Sequence, residues 1–127
     1  MSFEGDSPHY HALHHSVRAG CIPVIVANCL PVYSPVYKHT LKFSDYAITM
    51  DEKEVVGNNI TAAFRRHLLD MSEEELKRKV RGLVLAQRVL FADHPESLVV
   101  EAFLREAKGA TESIVSELPG TRARMVN

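Results

Sequence analysis

Leu13 and Val17 stand four residues apart, with Tyr10 a turn earlier, and this spacing predicts a short helix from Tyr10 to Ala19. Gly20 follows where a left-handed residue would end it. Cys21 to Ala27 (CIPVIVA) is apolar at every position, β-branched and short, the pattern of a strand covered on both faces in a parallel sheet. Pro23 belongs at the start or edge of such a strand, because it cannot donate to the ladder. Asn28 to Lys38, with two prolines and alternating aromatics, reads as an extended loop. Asp45 to Met50 (DYAITM) reads as a second strand.

The remaining chain changes period from two to 3.6. Asp51 opens a helix, with Glu54 three residues on as capping-box partner, and Val56, Ile60, Phe64 and Leu68 as its apolar stripe. Ser72 caps another helix, with Glu75 in the box position and acids facing the positive end of the dipole. Its stripe is Leu76, Val80, Leu83, Val84, Gln87 and Leu90/Phe91. HPES, residues 94–97, breaks it, and a last helix runs from Glu96 to Ser116 through Leu98, Val99, Ala102, Phe103 and Leu104. Residues 117–127 read as a disordered tail.

This order is helix, strand, loop, strand and three helices. Two strands are marginal in water by themselves, so the pattern asks for further strands beside them. The fold class expected is α/β: a partial Rossmann-like half-domain, with a short parallel sheet and several helices, in one domain over residues 1–127.

Composition narrows the function classes. The 127 residues carry 15 basic and 16 acidic side chains, and nothing in a net charge of −1 suits a nucleic-acid or anionic-membrane partner. Only Arg18, Lys38, Lys42, Glu4, Asp6 and Asp45 of these lie in the first 50 residues, so the early part reads as core and the later part as solvated helices. No run reaches the roughly 20 apolar residues of a membrane span, and the acidic start is not a signal peptide. Cys21 and Cys29 read as small buried hydrophobes without a bridge.

Four candidate chemistries carry competing readings. HYHALHH, residues 9–15, sets His11 and His15 four apart with His14 beside them, a spacing that suits a divalent metal. No cysteine or carboxylate ligand is near in sequence, which favours solvated histidines. Asn59-Ile60-Thr61 is a glycosylation triplet, but Ile60 falls on the apolar stripe of a continuous helix, which favours plain structure. EEELKRKVR reads as a solvated face paired at i,i+4. Tyr33 and Tyr37 fit equally a stacking platform for a uracil or sugar and a cover over the sheet end.

AGCIPVIV (19–26), Asn28 with Pro31, YAITMDEKEV (46–55), Met71 and EAF (101–103) together resemble, in order, the exostosin family of glycosyltransferases (family 47). The likeness spans residues 7 to about 107 and falls in the C-terminal, nucleotide-sugar-binding lobe of a two-lobed enzyme. It implies transfer of a sugar from a nucleotide diphosphate to a glycan acceptor, a Golgi location, and membrane attachment only through a segment outside these 127 residues. The nucleotide site it implies comprises Ser7, His11, His15, Asn28 and Glu52, with no metal assigned to this chain and no residue named as catalytic base. Two positions depart from the pattern. His15 stands where the family has a ribose-gripping Asp or Glu, and PHYHALH replaces the segment that carries an arginine. A histidine lacks the two acceptor oxygens that hold a diol. These departures favour the alternative, a non-catalytic remnant or binding module that keeps the fold.

Overall fold

A strand whose every residue is apolar needs cover on both faces, and the central strand has it. The computed structural model describes residues 2–3, 11–26, 37–57 and 59–117. Three strands, β1 (Ser2–Phe3), β2 (Val24–Val26) and β3 (Ile48–Met50), form one all-parallel sheet in the order β1-β2-β3. Ser2 pairs with Ile25 and Val24 with Ile48. Ile25 points into the larger core, with Leu13, Val17, Phe43, Tyr46, Leu83 and Val89. Val26 and Met50 point the other way, against Val55 and Phe64. The architecture is α/β.

Helix α1 (His11–Arg18) buries Leu13 and Val17 as the spacing requires. Its end is a complete Schellman motif: Cys21 N–H donates to the Ser16 carbonyl at 2.9 Å and Gly20 N–H to that of Val17 at 3.0 Å, with Gly20 at φ 77°. Pro23 precedes β2, where it forfeits no ladder bond, and its carbonyl accepts from Ile48 N–H at 2.9 Å. The second strand is shorter than expected. Phe43–Tyr46 forms a one-turn helix, α2, and only Ile48–Met50 is extended.

Several other expectations need correction. The helix opening at Asp51 is three pieces, α3 (Glu52–Val56), α4 (Ile60–Phe64) and a π-helical turn (Arg65–Leu69). Asp51 caps α3 through Lys53 N–H at 2.7 Å, while Glu54, expected to close a box, turns its carboxylate to Arg66 and His67. The stripe is therefore broken, and Val56 is 85% exposed.

Ser72 does cap α5 (Glu73–Leu90), accepting from Glu75 N–H at 3.2 Å, but the carboxylate of Glu75 lies against Arg78. The helix buries Lys79, Leu83, Ala86 and Val89, leaving Leu76, Val80 and Val84 exposed. Helix α6 (Val99–Glu117) buries Ala102 and exposes Phe103 and Leu104. It is tied to the turn at 37–40 by Glu106, whose Oε1 accepts from His39 N–H at 2.6 Å. The expected tail, apart from Glu117 at the end of α6, lies outside the described residues, and among those residues no helix is long and apolar enough to cross a membrane.

Candidate functional site

In an open parallel sheet, ligands bind beyond the carboxyl ends of the strands, where the following helices begin. His11 opens α1 and Glu52 opens α3, so both belong to that edge by topology. Glu52 is half-buried. His15, a turn further along α1, is exposed on the face away from Leu13 and Val17. Ser7 and Asn28 lie outside the described residues, as do His9, Cys29 and Tyr33. Tyr37 is half-buried and packs against the larger core. Cys21, expected to be buried, is exposed just past the Gly20 turn. His14 meets the edge of the Phe91 ring, with centroids 6.4 Å apart. Among the described residues, no three His, Cys, Asp or Glu side chains gather to hold a metal ion.

The helix stop at Gly20, at the opposite end of β2 from this edge, is braced from α5. Gln87 Nε2 donates to the Val17 carbonyl at 2.9 Å and the Arg18 carbonyl at 3.4 Å, satisfying the end of α1. That role explains a glutamine in an apolar stripe. The Arg18 guanidinium lies 5.2 Å over the Phe91 ring and pairs with Asp93. Only the backbone dihedral of Gly20 resists a side chain, since an added Cβ would meet nothing nearer than Gln87 Nε2 at 3.8 Å. Gly20→Ala should therefore cost about 1 kcal/mol, the ordinary left-handed penalty, readable as a lowered urea midpoint.

A polar cleft, unmarked by any sequence motif, runs beside the outer edge of β3. It encloses about 300 Å³ and is lined by Thr49, Arg66, His67, Asp70, Arg78 and Lys79, among others. One carboxylate organises its flank. Glu54 Oε1 accepts from Arg66 Nη2 at 2.8 Å, and Oε2 lies 2.9 Å from His67 Nε2. The π turn, closed by Asp70 N–H to the Arg65 carbonyl at 2.9 Å, carries the two adjacent side chains to that one group.

Lys79 forms the floor. Its Nζ donates to the carbonyls of Ser44 at 2.9 Å and Ala47 at 2.8 Å, and the residue is 6% exposed. Burial holds its pKa below the usual lysine value, as does Arg78, against the opposing pull of Glu75 and Asp45. Lys77 pairs with Glu73 at 2.8 Å, as the solvated-face reading of this charge run requires, so Lys79 is its exception. Its signal was a phase shift: lysine stands where the small residues Gly82 and Ala86 continue the inward face. The cleft thus holds both signs of charge, largely already paired.

No family model, curated protein or solved structure matches the chain.

Proposed function

We propose that this chain is the nucleotide-sugar-binding, C-terminal lobe of an exostosin-like glycosyltransferase, built as part of a Rossmann-like half-domain. The observation that supports the reading is the β1–α1–β2 crossover. The AGCIPVIV stretch carries the Gly20 turn from α1 into the middle strand of a parallel sheet, and a β-α-β unit of this kind can hold a nucleotide at its carboxyl edge, at the other end of β2 from Gly20. His11, His15 and Glu52, with Ser7 and Asn28, are the residues assigned to the donor. Transfer would proceed by displacement, with an acceptor hydroxyl deprotonated as it attacks and the departing diphosphate stabilised by amides and cations. The partners are a nucleotide-diphosphate sugar and a glycan acceptor, and the place of work is the Golgi lumen.

A second reading, a binding module without transfer activity, draws on His15. The imidazole stands exposed at the position where the resemblance calls for a carboxylate, and it offers the ribose one hydrogen bond at each nitrogen. Calorimetric titration with uridine diphosphate tests the donor-lobe reading. Binding is expected for the donor lobe, strengthened several-fold in His15→Asp or His15→Glu by restoring acceptor oxygens. Absence of heat at millimolar nucleotide, in the parent chain and in both variants, would remove the donor-lobe reading.

A further inference from the structure

We infer that Asn59 is an acceptor for an N-linked glycan. The Asn59-Ile60-Thr61 triplet has the required residue types, and the sequence pattern weighed against it only by placing Ile60 on the apolar face of an unbroken helix. The fold has neither feature. The chain leaves helical geometry after Val56, and Asn59 sits between α3 and α4 at φ −138° and ψ 50°. Asn59 and Thr61 are exposed, and Ile60 is 44% exposed.

The side-chain chemistry is compatible with modification. Asn59 caps α4 through its oxygen, Oδ1 accepting from Ala62 N–H at 3.2 Å, whereas glycan attachment uses Nδ2. A sugar can therefore be added without removing the cap. The residue also borders an open cleft of about 480 Å³ lined by Lys53, Glu54, Gly57, Ala62 and Arg66, which leaves space beside it. In the transfer step, Nδ2 attacks the anomeric carbon of the first sugar of a lipid-diphosphate-linked oligosaccharide. The new C–N bond replaces the bond from that carbon to the diphosphate oxygen. The electron pair leaves with the lipid diphosphate, and the nitrogen gives one proton to a base of the transferring enzyme. No oxidation or reduction is involved.

The inference rests on the lumenal placement proposed above, so the test supplies that placement. The full chain is expressed in eukaryotic cells behind a cleavable secretory signal and recovered from the lumenal and secreted fractions. The expected product carries one glycan, removable by peptide N-glycosidase with conversion of residue 59 to aspartate, read by peptide mass. Thr61→Ser should retain the glycan. Thr61→Ala should lose it while preserving the Asn59 cap and the circular dichroism spectrum, which separates loss of the acceptor from loss of the fold. A folded lumenal chain with unmodified Asn59 would overturn the inference whatever the nucleotide titration gives. A glycosylated chain that takes up no uridine diphosphate would instead sink the donor-lobe reading and leave this one standing.

Discussion

Replacing Gly82 with alanine should cost about 3 kcal/mol or more of folding stability, a large share of the roughly 5–15 kcal/mol available to a domain. The sign is opposite to the usual one. In an exposed helix interior, glycine to alanine gains about 1 kcal/mol through backbone entropy. At Gly82, however, α5 lies directly on the backbone of α2. An added Cβ would stand 2.6 Å from the carbonyl carbon of Asp45, nearer still to its oxygen, and 3.3 Å from the Tyr46 nitrogen. Backbone cannot swing aside as a side-chain tip can, so the two helices would have to part. Their separation would open the core around Tyr46, Leu83 and Ala86. A thermal or urea melt checks this, and an unchanged or raised midpoint would refute the close approach.

Lys79→Met should cost about 2 kcal/mol, although it removes a charge from a buried place. Methionine keeps the stem's apolar contacts but leaves the Ser44 and Ala47 carbonyls without the ammonium that now donates to both. The pH dependence distinguishes this from a simple packing defect. The folded-state pKa of Lys79 is lowered, so above it the unfolded chain holds more protons than the folded one. The burial penalty is then fully present below the depressed value and is relieved as pH climbs from it toward 10.5. Tyr46 acts in the opposite direction above 10.0, because burial raises its phenol and only the unfolded chain ionises there. Taking the difference between parent and variant cancels the tyrosine. Parent stability should rise relative to Lys79→Met as pH climbs toward 10.5, and a flat difference would argue against the buried ammonium.

The parts of the fold legible in the sequence were those set by local chemistry. Gly20 ends α1 through a backbone conformation favourable to glycine, and Ser72 caps α5 through a bond three residues away. What was misread depended on partners distant in sequence. DYAITM reads as a strand, yet Tyr46 turns into the core as part of α2, whose Ser44 carbonyl accepts from Lys79 about 35 residues later. The apolar stripe of α5 was placed a partial turn off. Leu76, Val80 and Val84 outweigh Gly82 and Ala86 in hydrophobicity, but close backbone approach selects small residues. Likewise, neither Glu54 nor His67 carries a signal of pairing across 13 positions. Of the residues expected to hold a donor, His11 and Glu52 begin helices at the carboxyl edge and His15 lies outward, while Ser7 and Asn28 lie outside the described residues.

The all-parallel order of β1, β2 and β3 also has a kinetic consequence. No pair can zip from a tight turn, since Ser2 must find Ile25 and Val24 must find Ile48 across more than twenty residues each. Chain-closure entropy is spent before either ladder repays it, whereas α5 and α6 need only neighbours a turn away. Assembly should therefore run from the long helices inward, with strand registry settled late and governed by how quickly distant segments meet.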